Sequence, residues 1–216
     1  MKTILVYARH ALAMIAFAVS VGHASAIDFQ KTMEPLVPKV YQTNDRDSLA
    51  NLSATFYRIG QLFPNEWLPI YYAAYCYVSM TFSDNDAGRI HAALDKAQQL
   101  LDNAMKIAPK ESEIYVLQSL IYSKRITDAG KGYKFSTLSN EALAQAQVLD
   151  ENNPRIYFCK GQNVLHTPAM FGGGKGKALP LFEKAKVLFD SQTNTGALQP
   201  AWGKEANDAM IGKCKE

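Results

Sequence analysis

The chain has 216 residues, of which 48% are hydrophobic, 11% aromatic and 20% charged, enough for one cooperative core and short for two independent ones. This composition excludes a wholly disordered chain, a collagen and a zinc-ribbon array. The formal net charge of +3 falls to +1 once Lys2 and Arg9 are discounted, which leaves no electrostatic footprint for nucleic acid or a membrane surface.

Lys2, Arg9 and His10 precede an apolar run from Ala11 to Val21, and Ala24-Ser25-Ala26 follows before Ile27. A basic end, a short apolar stretch and a small-residue peptidase site are the order of a secretory leader. Eleven helical residues reach about 16 Å, about half a hydrocarbon core, so a permanent anchor is the weaker reading. Cleavage after Ala26 is expected, giving a leader of residues 1–26 and a single exported, periplasmic domain of 27–216. No later run approaches twenty uninterrupted apolar residues, and no stable membrane insertion is expected.

Beyond the leader, apolar residues recur every three or four positions. The pattern predicts helices over about 28–42, 45–62, 66–82, 86–108, 111–126, 137–150, 154–167, 175–189 and 200–213. In the longest, Ile90, Ala93, Leu94, Ala97, Leu100, Leu101, Ala104 and Ile107 form one stripe. Pro64, Pro109, Pro154 and Pro200 fall at helix starts or junctions, where a missing amide hydrogen costs least. The fold class that follows is all-α, with antiparallel helix pairs in a stack.

The pairs repeat. Leu52, Phe56 and Ile59 share their 4 and 3 offsets with Ala97, Leu101 and Ala104 and with Ser139, Leu143 and Ala146; Ala178, Phe182 and Ala185 do the same. The alternate helices carry Ile70, Ala73, Ala74 and Tyr77, then Tyr115, Gln118, Ser119 and Tyr122, then Tyr157, Lys160, Gly161 and Val164. Small residues let backbones approach, and large ones fill the groove between them. On these residues, over about 45–190, the chain resembles the tetratricopeptide repeat family, which implies a short right-handed superhelix. Pro64 to Pro109 spans 45 residues and Pro109 to Glu151 spans 42, against a usual period of 34. The excess is assigned to longer helices or loops around 83–88, 127–136 and 167–176. Asn153 to Phe158, Phe171 to Lys175 and Trp202 to Glu205 also resemble exported repeat proteins of the Bacteroidetes type.

Cys76, Cys159 and Cys214 lie 83 and 55 residues apart, with no CxxC and no zinc spacing. A Cys76–Cys159 bridge, a bridge involving Cys214, and three thiols remain open. After export only His91 and His166 remain, 75 residues apart and with no HExxH or close carboxylate cluster. No metal site, catalytic residue or cofactor is read from the sequence, and no Gly-x-Ser-x-Gly elbow is present.

Two segments are candidate sites. Phe171-Gly172-Gly173-Gly174-Lys175-Gly176-Lys177 offers amides and ammonium groups to an anion or a partner, with Gly173, Gly174, Lys175 and Lys177 as contacts. It lacks the spacing of a nucleotide phosphate loop. The bland reading is a turn that needs glycine, with Met170 and Phe171 tucked onto the stack. The second site is the stripe beside the small-residue positions: Tyr71, Tyr75, Val116, Leu120, Arg155, Phe158 and Gln162. By the resemblance, these helices line the concave side, where aromatics and Arg suit a peptide-binding furrow. The competing reading is that another helix, the N-terminal one above all, covers the stripe.

The expected function is a periplasmic scaffold or adaptor binding a protein or peptide segment. The alternative is an enzyme or small-ligand carrier with a polar pocket in the stack. Partner identity and oligomeric state are not readable from the sequence.

Overall fold

The computed structural model describes residues 28–192 and 196–216; the leader expected over residues 1–26 lies outside them. Among the described residues the secondary structure is entirely helical: α1 Phe29–Met33, α2 Val37–Gln42, α3 Arg46–Leu62, α4 Leu68–Ser79, α5 Ala87–Ile107, α6 Ser112–Lys124, α7 Ala129–Leu149, α8 Pro154–His166, α9 Lys175–Ser191 and α10 Lys204–Lys215, with a 3-10 turn at Ala169–Phe171. None of these helices is long and apolar enough to cross a membrane.

Local chemistry explains the starts. Asp45, Asp86 and Asp128 accept hydrogen bonds from the amides of Ser48, Arg89 and Lys131 at 2.8, 2.7 and 3.2 Å, filling the first unpaired donors of α3, α5 and α7. Asn153 accepts from the Arg155 amide at 3.0 Å, and Pro154 opens α8.

The boundaries correct the sequence reading in three places. The helix expected over 28–42 is two short helices, because Pro35 interrupts the run and Pro38 sits in the first turn of α2. The helix expected from 137 begins at Ala129, so 127–136 is mostly helix; the Asp128 cap outweighs Gly130 and Gly132, which weaken the pattern there. The long repeat period therefore resides in α5 and α7, 21 residues each. The last helix begins at Lys204 rather than 200, since Gly196 to Gly203 forms an irregular strap.

Packing follows the repeat register. Phe56, Leu101, Leu143 and Phe182 are fully buried, as are Ala97, Ala104, Ala146, Ala178 and Ala185. Each large side chain so buried contributes about 1.5–3 kcal/mol. Gly161 is required by close approach: a Cβ there would stand 2.6 Å from the Phe182 ring. Polar repeat positions are matched. Ser119 and Ser139 join hydroxyls at 2.7 Å, and the buried Gln118 exchanges amide hydrogen bonds with Gln98 at 2.7 and 2.8 Å. Successive helices run antiparallel, so the α4–α5, α6–α7 and α8–α9 connections share one edge of the stack. Contacts between neighbouring repeats run along that edge: Arg46 meets Asp84 at 3.0 Å, Lys124 lies 5.0 Å from the Phe82 ring centre, and Arg125 meets Asp95 at 2.8 Å.

Candidate functional site

The inner face of α4, α6 and α8 does bring the expected stripe together, but as core. Tyr71, Tyr75, Val116, Leu120, Arg155 and Phe158 are all buried, and Gln162 is half-buried. The open furrow expected from the sequence is filled from two directions. Tyr41 of α2 packs edge-on against Tyr75 at 5.8 Å. From the strap, the Trp202 ring stacks on Tyr75 at 5.7 Å and meets Phe158 at 6.3 Å. The strap is held by polar contacts as well. The Tyr72 hydroxyl donates to the Leu198 carbonyl at 2.9 Å, the Ala201 amide donates to the Tyr41 hydroxyl at 3.2 Å, and Trp202 Nε1 donates to the Tyr71 hydroxyl at 2.9 Å. Burial pushes the hydroxyls of Tyr71, Tyr72 and Tyr75 well above their usual pKa, so they act here as neutral hydrogen-bonding groups.

At the centre of this face Arg155 is committed to Glu113. Its Nε lies 2.9 Å from each carboxylate oxygen and its Nη2 2.7 Å from Oε1. Asn153 Nδ2 donates to the same Oε1 at 2.7 Å. Burial by itself would pull the Arg155 pKa down, but the Glu113 carboxylate outweighs it and holds the guanidinium above its ordinary value. With Glu113 against Nε and Nη2 and the Trp202 carbonyl 3.4 Å from Nη1, the buried guanidinium is committed to internal partners rather than held open for an incoming carboxylate.

All three cysteines are free, with Cys76 and Cys159 buried and Cys214 half-buried. Burial pushes the Cys76 thiol up to about 12 and raises Cys159 as well, which leaves both inert. Among the described residues no three His, Cys, Asp or Glu side chains are grouped to hold a metal ion. His91 is half-buried rather than solvated, its Nε2 3.1 Å from both Thr127 Oγ1 and Lys131 Nζ.

The glycine loop is a turn whose amides are already used. The amide of Gly172 donates to Ala169, Gly173 to Pro168 and Gly174 to Val164, at 3.0, 3.3 and 2.9 Å. The anion cradle expected from Gly173 and Gly174 is thus corrected: those N–H groups point inward. Gly172 and Gly174 have φ of 85° and 103°, and a Cβ on Gly173 would overlap the Thr167 carbonyl, so glycine is needed at these three positions. Met170 and Phe171, expected to tuck back, are instead 84% and 73% exposed, while Lys175 and Lys177 remain exposed beside them.

That exposure extends along the loop edge. Phe82 is 48% exposed at the end of α4 and Ile126 38% exposed after α6. Lys124, Lys175 and Lys177 join no ion pair among the described residues, whereas Arg125 and Lys131 are taken up by Asp95 and Asp128. Lys124 is half-buried, and that burial lowers its pKa. The edge therefore combines uncovered apolar side chains with cations that lack counter-ions. Phe82, Ile126 and Lys124 have no local signature in sequence; only the shared edge unites them. Elsewhere an open groove of about 370 Å³ runs over Tyr57, Tyr77 and Leu100, and another of about 400 Å³ lies between α2 and α3 at Lys39, Gln42 and Asn51.

No family model matches the chain. No curated protein matches it in sequence. Among solved structures, a thermophilic TPR protein from Thermus thermophilus superposes with a TM-score of 0.53 at 14% identity, over 87% of this chain and 99% of that one. This likeness bears out the helical-repeat fold and nothing further. The HusA haemophore from Porphyromonas gingivalis superposes with a TM-score of 0.79 at 30% identity, over 88% of this chain and 94% of that one. With identity at that level spread over nearly the whole of both chains, this protein belongs to the family of the HusA haemophore.

Proposed function

We propose that this protein is a haemophore-like carrier that binds haem at the loop edge. The observation that carries the reading is the placement along that edge of Phe82, Ile126, Met170 and Phe171, all exposed, with Lys124, Lys175 and Lys177, none in an ion pair among the described residues. Haem is a flat apolar macrocycle bearing two carboxylates. It asks a protein for apolar and aromatic side chains against the ring and for cations at one end. Kinship with a haemophore supplies the ligand class, and the edge supplies the complementary chemistry. Between the two functions weighed from the sequence, this favours a small-ligand carrier over a peptide scaffold, with an edge site in place of an internal pocket. The filled inner face supports the same preference, because a peptide there would have to displace Trp202 and the strap.

Export belongs to the same reading. The order of charges and apolar residues over 1–26 supports removal of the leader and a periplasmic chain of 27–216 acting as one helical unit. No catalytic step is part of it.

The test is an absorbance titration of the chain with haemin. One saturable equivalent is expected. Replacing Phe82 and Phe171 together by Ser should weaken binding at least tenfold with helical circular dichroism unchanged, while Tyr75→Phe on the inner face should leave it unaltered. Absence of saturable binding, or binding indifferent to the edge substitutions, overturns the proposal.

A further inference from the structure

The strap that covers the inner face also joins parts of the stack that are not neighbours. In a helical-repeat array each unit touches only the next, so distant units are free to shift against one another. Here α6 lies between α4 and α8 and touches both, yet one indole bridges the outer two. Trp202 stacks on Tyr75 of α4 at 5.7 Å, meets Phe158 of α8 edge-on at 6.3 Å, and donates from Nε1 to the Tyr71 hydroxyl at 2.9 Å. Its side chain is buried, so these contacts are made out of water.

The rest of the strap adds to the bridge. Leu198 is half-buried and Pro200 and Trp202 are buried, while Ala197, Gln199 and Ala201 between them are exposed. Among the described residues no backbone-to-backbone hydrogen bond joins Ala197 to Trp202 to any helix. Side-chain hydroxyls from the start of the chain hold this backbone instead: Tyr72 donates to the Leu198 carbonyl at 2.9 Å, and Tyr41 of α2 accepts from the Ala201 amide at 3.2 Å. At its other end the strap turns through Gly203, at a φ of 105°, into α10. That helix is fixed along α9: Lys204 pairs with Asp190 at 2.8 Å, Asp208 with Lys186 and Lys215 with Glu183 at 3.2 Å, and Asn207 Nδ2 donates to the Phe182 carbonyl at 2.9 Å. The strap therefore runs from the last helix pair back to the first.

The loop edge depends on the same helices. Phe82 follows α4, Lys124 to Ile126 closes α6, and Met170 and Phe171 follow α8, so the spacing of these groups follows the mutual tilt of α4, α6 and α8. α4 has 12 residues, and a tilt of about 10° over its length of about 18 Å moves its far end by about 3 Å. A gap of only about 0.5–1 Å already forfeits a quarter to a half of a van der Waals contact. A flat, rigid ligand held between side chains of different repeats thus needs those helices locked.

We propose that Trp202 is a positioning residue: through the strap it ties the first helix pair to the last and so sets the spacing of the apolar side chains at the loop edge. The tie concerns the free protein, and its service to a ligand rests on the haem reading above.

The tie is tested first without ligand. Native-state amide hydrogen exchange should show α4 and α8 opening together in the native chain and separately in Trp202→Ala, where protection in the two helices should differ about tenfold or more. Paired spin labels at Phe82→Cys and Met170→Cys, with Cys214→Ser, should report one narrow distance when Trp202 is present and a broadened distribution in Trp202→Ala, helical circular dichroism being unchanged. Trp202→Phe keeps the ring contacts, loses the Nε1 bond and should restore both readings. Protection lowered alike in all helices, with the edge distance unmoved, is the signature of local packing alone and overturns the proposal. Should Trp202→Ala fail to fold, Tyr41→Phe/Tyr72→Phe removes the two strap-holding hydroxyls, keeps both rings and is read in the same way. Haemin titration then reads the service to the ligand: Trp202→Ala should bind about tenfold more weakly and Trp202→Phe within about threefold of the native chain. A broadened edge with haemin affinity unchanged overturns the positioning role and leaves the haem reading standing. If haemin fails to bind the native chain, the haem reading falls, and exchange and label distances decide separately whether the tie exists.

Discussion

Arg155→Ala is the perturbation whose size follows most directly from the geometry. It removes three close approaches to the Glu113 carboxylate, at 2.7 to 2.9 Å, between side chains that are only 4% and 7% exposed. Deleting one partner of so buried a pair strands the other charge, at a cost of about 3–5 kcal/mol. Asn153 still donates to Glu113 at 2.7 Å, which places the loss near the lower end. The guanidinium also lies 5.7 Å and 5.9 Å from the ring centres of Trp202 and Phe189, contacts worth about 0.5–1 kcal/mol each. A loss of about 4 kcal/mol is a large share of a typical domain's 5–15. Urea denaturation followed by circular dichroism would read it as a lowered midpoint at constant slope. The double variant Glu113→Leu/Arg155→Met removes both charges together and should be more stable than Arg155→Ala. A single variant within about 1 kcal/mol of the native chain, or a double variant worse than the single, refutes the view that this pair is a committed internal contact.

Three further outcomes follow. Gly161→Leu forces side-chain atoms into the Phe182 ring, where even a Cβ stands at 2.6 Å, and should cost about 1–3 kcal/mol, whereas Lys186→Ala, at an exposed pair with Asp190 and Asp208, should cost no more than about 1; equal effects by denaturation contradict the register. A thiol titration of the native chain should show one reactive thiol, Cys214, with Cys76 and Cys159 responding only on unfolding. The side chains of Ser48, Arg89 and Lys131, first among the groups bonding them, hold the carboxyls of Asp45, Asp84 and Asp128 below the usual range. These groups contribute stability that is present above about pH 4 and lost as pH falls through their folded values, so the melting temperature should be level near neutrality and drop towards pH 3.

The repeat register was legible because it is local. Phe56, Leu101, Leu143 and Phe182 each sit three residues before a small or branched core residue on the same helix, and a 3.6-residue period exposes that pattern without knowledge of neighbours. The fate of the inner face was not local. Tyr71 and its hydrogen-bond partner Trp202 are 131 residues apart, and nothing in the composition of Gly196 to Gly203 marks it as a covering strap. Subtracting the small-residue stripe from α4 correctly set Tyr71 and Tyr75 on a second face, but a helix buried on nearly every side reads the same as one with an exposed aromatic stripe. The edge was half visible. The glycine loop stands out by its composition, yet its amides are bonded within the turn, and the exposed Phe82 and Ile126 lie in other repeats and share its edge only through the antiparallel stacking.

Haem binding at the loop edge is tested most directly by a map of haemin on the folded chain by amide NMR, using the paramagnetic iron to broaden nearby signals. Binding at the edge predicts loss of signals around Phe82, around Lys124 to Ile126 and across Met170 to Lys177, with Tyr71 and Tyr75 spared. Broadening centred on Tyr57, Tyr77 and Leu100, or on Tyr75 and Trp202 with the edge unaffected, would contradict it.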